Sequence, residues 1–118
     1  QEKIMVIKKL SDVPSTILQG YDHVKKQIVI GPDDGSQEIV LRYFSIDPDG
    51  KSPHHTHDFP HLVKIETGKG ILKDSSGNEH PLQPGDYVYI DNNEDHQLIN
   101  KGSETFDFIC IVPRRGES

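Results

Sequence analysis

The chain is expected to fold as an all-β domain, and three observations lead there. Turn signals recur at short intervals, the runs between them alternate apolar and polar residues, and helical periodicity is missing at any useful length. Hydrophobic residues make up 32% of the 118 positions, which suits a barrel or sandwich, because each strand gives every second side chain to the interior. The 10 glycines and 8 prolines are spread along the chain rather than pooled, as many short strands joined by turns require. The length is that of one domain able to close one core, so residues 1–118 are read as a single domain.

The turn signals are Gly31-Pro32-Asp33-Asp34-Gly35, Asp47-Pro48-Asp49-Gly50, Ser75-Ser76-Gly77-Asn78, Gln83-Pro84-Gly85-Asp86, Asp91-Asn92-Asn93 and Asn100-Lys101-Gly102. Between them, strands are expected at roughly 3–9, 25–30, 37–46, 53–57, 61–66, 70–74, 79–82, 87–90, 96–99 and 105–112. One helical turn is expected around Ser11–Ile17, where Ser11 or Asp12 can cap it. The apolar run Ile4-Met5-Val6-Ile7 has no hairpin partner beside it. Such an edge must be covered, either by this chain's own sheet or by that of a second copy in a homodimer. In 61–66, His61, Val63 and Ile65 share the inner face while Lys64 and Glu66 point to water. In 105–112, Phe106, Phe108, Cys110 and Val112 share one face, and Thr105, Asp107, Ile109 and Ile111 the other, so the end of that strand is expected to be covered on both sides.

The formal net charge is −6 with no basic run beyond Arg114–Arg115, which argues against a nucleic-acid partner. No apolar stretch is long enough to cross a bilayer and the N-terminus has no signal-peptide core, so no membrane partner is expected. The one cysteine, Cys110, excludes an internal disulfide and a Cys-rich zinc site, and fits a cytoplasmic protein. Cys110 itself reads as a small buried hydrophobe.

Of seven histidines, His54, His55, His57 and His61 fall within eight residues, while His23, His80 and His96 are scattered. Alternate residues on a strand share a face, so His55 and His57 can aim at one interior point, with His54 turned away. His61 follows after Asp58-Phe59-Pro60, and its own parity turns it inward. Buried imidazoles that crowd together cannot all be charged. A metal ion removes the conflict, because neutral imidazole is the ligand form.

The spacing of these residues resembles the cupin superfamily, whose first motif runs glycine, His-x-His, glutamate, glycine, and whose second carries a glycine, a proline–glycine bend, a histidine and an asparagine. Here the first reads Gly50, His55-Thr56-His57, His61, Gly68, and the second reads Gly85, Asp91-Asn92-Asn93, His96, Asn100. The resemblance covers about residues 37–112, with residues 1–36 outside the motifs. The spacer between Gly50 and His55 is one residue short, Asp91 and Asn93 replace the proline and glycine, and His61 stands in place of the glutamate. Asn93 also tolerates the left-handed turn conformation. The chain is thus similar to the small single-domain four-histidine cupins of the type-2 conserved barrel group.

That resemblance implies a double-stranded β-helix, a jelly-roll cupin barrel. It implies one divalent transition-metal ion held by His55, His57, His61 and His96, with Mn or Fe favoured and Zn, Ni or Cu compatible. Four neutral ligands leave the ion its full positive charge, and six-coordination would leave positions open for water, substrate or oxygen. The implied function is a metal-dependent enzyme of the dioxygenase type acting on a small organic molecule. The alternative is a module that binds or senses a small ligand without turnover. Phe59, Arg42, Tyr43, Phe106 and Phe108 are candidates to line the substrate pocket. Core packing is the competing reading for each aromatic, solvent exposure for Arg42, and Arg42 could anchor a carboxylate. Glu66 and Asp95 read as solvated charges.

Overall fold

Alternation dictates the architecture. In the computed structural model, which describes residues 3–117, nine strands form one strongly curled sheet and no α-helix occurs among the described residues. The strands are β1 (Thr16–Ile17), β2 (Asp22–Ile30), β3 (Ile39–Lys51), β4 (His61–Thr67), β5 (Gly70–Lys73), β6 (Glu79–Leu82), β7 (Tyr87–Ile90), β8 (Gln97–Ile99) and β9 (Phe106–Pro113). The sheet runs β6-β5-β8-β3-β9-β4-β7, with β2 on the free edge of β3 and β1 outside β2. The result is the jelly-roll barrel of the cupin fold.

β3 is the spine of this barrel. Along Leu41–Ile46 it is sandwiched between β2 and β9, and its far end at Lys51 meets β8 through Ile99. The segment Asp47-Pro48-Asp49-Gly50 is a bend inside this strand rather than the turn expected there. Asp49 takes a left-handed conformation at φ 68, and the pairing with β2 slips between Asp22 and Val24. A bulge of this kind lets one strand pass from one wall of a barrel to the other.

Inward positions follow the parity of the sequence. Val40, Arg42, Phe44 and Ile46 of β3, His61, Val63 and Ile65 of β4, and Phe106, Phe108, Cys110 and Val112 of β9 are all buried. The outward residues of β9 are half-buried. Asn100 is fully buried as well. Its amide donates to the carbonyls of Ile46 and Glu104, and its Oδ1 accepts from the Gly102 N–H. Three bonds at one buried side chain hold the β8–β9 connection against the bend of β3, and satisfied groups of this kind tolerate burial.

Two expected elements near the N-terminus also differ. Residues 3–9 form no strand: Met5 and Ile7 are about fully exposed at 94% and 95%, so the own-sheet alternative for this run fails. The segment lies beside the turn after β2, held by a Lys8–Asp34 ion pair of 2.6 Å. The helical turn expected around Ser11–Ile17 is one turn of 3-10 helix at Leu10–Asp12, followed by β1. An extended apolar run is a strand only where a partner strand supplies its hydrogen bonds, and none of the described residues does so here.

Candidate metal centre

The expected strand at 53–57 reduces to a single bridge. The His55 N–H donates to the His96 carbonyl at 2.8 Å and the His96 N–H returns to the His55 carbonyl at 3.0 Å. Two histidines from distant parts of the chain are thereby pinned side by side. The alternation survives: His55 and His57 face the interior, while His54 turns out and lies 3.3 Å from Asp95. Asn93, in the left-handed conformation at φ 62, donates its N–H to the His57 carbonyl at 2.6 Å, so the bend between β7 and β8 braces the loop that carries His57. His61 opens β4 at an inward position and is 6% exposed.

The ligand atoms of His55, His57 and His96 all lie within 4.8 Å of one another. His61 stands beside this trio, its ring centroid 5.2 Å from that of His57 and 5.0 Å from that of His96. His96 Nδ1 lies 2.9 Å from the Glu94 carbonyl. A carbonyl only accepts, so Nδ1 carries a proton and Nε2 is the atom left to face a metal, the arrangement that orients a metal-binding imidazole. His61 Nδ1 is buried without any hydrogen-bond partner in the chain. A buried polar atom left unpaired is costly, and a cation bound to this ring would relieve it. The donor set fits a divalent transition metal: imidazoles only, and clustered.

His55, His57 and His61 are each pushed towards the neutral form. Burial, reinforced by the neighbouring His57 and His96, pushes His55 down to about 4. Burial, then His96 and Arg42, pushes His61 down to about 3. His57 is lowered in the same way, by burial first and then His96 and Arg42. For His55 and His61 the folded values lie below the ordinary 6.5, so between about 3 and 6.5 the unfolded chain binds more protons than the native one. Their contribution to stability is therefore complete above 6.5 and is lost progressively as pH falls through that window. The metal-free protein is expected to melt at steadily lower temperature from pH 7 to pH 4, and a His61→Phe variant is expected to show a shallower slope. Equal slopes in thermal melts would refute this assignment.

The histidines line a cavity of about 190 Å³. Phe59 stacks on His57 at 4.7 Å between centroids and sits 5.1 Å from His61. Phe108 and Arg42 also line the cavity, and Arg42 is buried rather than solvated. Tyr43 faces the other side of β3, where its hydroxyl donates to Asp107 at 3.1 Å. Phe106 is in the closed core, packed 5.3 Å from Phe108. Neither of these two borders the cavity. Asp95 pairs with His54 and Glu66 with Lys64 at the surface. The structure adds Tyr21, Lys26 and Glu117 to the lining. Tyr21 packs edge-on to His55 at 5.2 Å. All three lie outside the motif-bearing region, and no pattern in the sequence marks them.

Comparison with known proteins agrees with the fold. The cupin domain family matches residues 42–112. The polyketide cyclase RemF from Streptomyces resistomycificus has a similar structure, with TM-score 0.90 and 24% identity over 94% of this chain and 80% of that one. A predicted oxalate decarboxylase from Thermotoga maritima gives TM-score 0.81 at 18% identity, covering 92% of this chain and 98% of that one. A sugar phosphate isomerase of the cupin superfamily from Silicibacter pomeroyi gives 0.75 at 21%, covering 90% and 74%. Comparison with the curated proteins gives no match. No helix among the described residues is long and apolar enough to cross a membrane. The matched span holds both motifs and most of the barrel strands, and the chain belongs to the cupin family.

Proposed function

We infer that His55, His57, His61 and His96 hold one divalent transition-metal ion, and that the chain is a metal-dependent enzyme of the oxygenase type acting on a small organic molecule. The observation that carries this reading is the cluster of inward imidazoles, His55, His57 and His96 with ligand atoms within 4.8 Å of one another and His61 beside them. Mn or Fe is the favoured working ion, and imidazole ligands also suit Zn, Ni and Cu. When bound, such an ion supplies Lewis acidity and positions for substrate or oxygen. The chain's own residues do the rest. Phe59 and Phe108 keep one side of the cavity apolar, Tyr21 closes against His55, and Arg42 places a fixed positive charge beside the histidines. The cavity admits only a small substrate.

A second reading is metal-dependent binding or sensing without turnover. It is favoured by the state of Glu117, the one carboxylate lining the cavity among the described residues, which is paired with Arg42 and Lys26 instead of standing free as a base. Proteins of like fold carry the names of a cyclase, a decarboxylase and an isomerase, so the fold leaves the reaction open. Oxygen uptake by Fe- or Mn-loaded protein, measured against diketones, phenols and small acids, separates the two. The enzyme reading expects turnover of at least one compound and its loss in His96→Ala. No uptake with any of them selects the binding module.

A homodimer is the expected assembly. It is supported by the exposed Ile4, Met5 and Ile7 of the N-terminal segment and by the exposed Leu62, Tyr87 and Tyr89 on the outer faces of β4 and β7. Patches of this kind mark contact surfaces. Sedimentation should give twice the 13.3 kDa chain mass, reduced to one chain in an Ile7→Asp, Leu62→Glu double variant. A wild-type monomer would end this proposal.

A further inference from the structure

The cavity holds a second polar feature that the histidines do not explain. Arg42 is 8% exposed and Lys26 half-buried, and both point at the same carboxylate. Lys26 Nζ donates to Glu117 Oε2 at 2.6 Å and Arg42 Nη1 donates to Glu117 Oε1 at 3.3 Å. Each carboxylate oxygen therefore serves one cation. Arg42 Nη2 reaches the Cys110 sulfur at 3.0 Å, and burial keeps that thiol protonated. Arg42 Nε is buried with no partner at all.

Glu117 arrives at this place through a short connection. It follows β9 by way of one 3-10 turn, Arg114–Gly116. Gly116 lies flat on Phe59, so close that an added Cβ would come within 2.7 Å of the ring. The link from the strand to the cavity is this short turn, anchored at Arg114 by Glu38 and Gln37 and at Arg115 by the Asp58 carbonyl, and such segments open at lower cost than strands.

Charge decides what else belongs here. Two cations face one carboxylate. The cavity is thus left with a net positive charge before any metal binds, and a divalent ion raises it further. Buried charge of one sign is unfavourable unless a counter-charge accompanies it. A second anion is the natural complement. A planar carboxylate matches the fork of an arginine, including an otherwise idle Nε–H.

We propose that Arg42 and Lys26 form a carboxylate-recognition subsite, that Glu117 occupies it as an internal stand-in, and that the substrate is a small organic acid whose carboxylate displaces Glu117. This rests on the reading of the cavity as a small-molecule site beside the histidine cluster. It narrows the substrate from any small organic molecule to acids with a further oxygen able to face the histidines. The 114–117 segment then covers the cavity when no acid is bound and gives way when one binds.

The test uses metal-free protein, so that it does not depend on the ion. Pyruvate and benzoate, each against its amide, are titrated by NMR chemical shift into wild type, Glu117→Gln, Lys26→Met and Arg42→Met. An internal group that fills the subsite nine-tenths of the time weakens an external acid about tenfold. Glu117→Gln is therefore expected to bind both acids roughly tenfold tighter than wild type, with the amides unchanged. Lys26→Met is expected to weaken both acids, and keeps the test decisive if Arg42→Met does not fold. Acid affinity unaltered in Glu117→Gln, or acids and amides shifted alike, would overturn the proposal and leave Glu117 a structural ion-pair partner. Metal content of Glu117→Gln, measured in parallel, should equal that of wild type. Failure of the histidines to bind metal while the acids still discriminate would remove the metal reading and leave the subsite standing.

Discussion

His96→Ala or His55→Ala is expected to cut bound metal from about one ion per chain to roughly a tenth or less, because every ligand removed takes away a bond the other imidazoles cannot replace. Alanine at either position keeps the backbone bridge between His55 and His96, so the loss measures the imidazole alone and should be of similar size at the two positions. The controls are the three histidines that face outward. His54 lies by Asp95, His23 by Asp22 and His80 by Asp74, all largely exposed. Alanine at any of these should leave metal content unchanged within error. Elemental analysis of the five purified variants checks the pattern, and equal loss in all five would defeat the assignment.

Gly68→Ala is expected to destabilise the barrel by about 3 kcal/mol, the sum of left-handed strain and a contact that cannot relax. Gly68 has φ 72, and a Cβ there would lie 2.2 Å from the backbone oxygen of Thr105. Backbone has nowhere to go. The neighbouring strand, β9, supplies Phe106, Phe108 and Cys110 to the core and cavity wall, so a shift at Thr105 is felt where the substrate would sit. Gly77→Ala is the matched comparison. Its φ is 83, but no heavy atom lies within 4 Å of the added carbon, and about 1 kcal/mol is expected from strain alone. Urea denaturation of the two variants measures the difference. Equal losses would mean that the Gly68–Thr105 approach is not a constraint.

Much of the barrel was legible because its signals are local. Strict alternation along 61–66 and 105–112 places Val63, Ile65, Phe106 and Phe108 inside, and the turn residues around Gly77 and Gly85 bound β5, β6 and β7 closely. What stayed hidden depends on partners rather than on pattern. Residues 3–9 look like a strand by composition but have no neighbour to pair with among the described residues. Residues 53–57 keep the side-chain parity of a strand with only one bridge to hold it. The bend at Asp47–Gly50 reads as a turn, yet the strand runs through it because Asp49 absorbs the distortion.

The site divides along the same line. The histidines are marked by their spacing, whereas the lining depends on which face of a strand each residue takes. Arg42 and Tyr43 are adjacent and take opposite faces of β3, one into the cavity and one to Asp107. No local feature distinguishes them, because Arg42 is a charged residue among apolar neighbours. It reveals its facing only through the carboxylate that meets it. Lys26 and Glu117 are separated by 91 positions, and nothing short of the folded chain brings them together.

X-ray absorption on Zn- or Mn-loaded protein counts the imidazoles around the ion most directly. Four histidine nitrogens at about 2.0–2.2 Å, with the remaining positions taken by light oxygen atoms, are the expected shell. A shell with one imidazole or none, or an ion that washes out of the untreated protein, would contradict the assignment of His55, His57, His61 and His96.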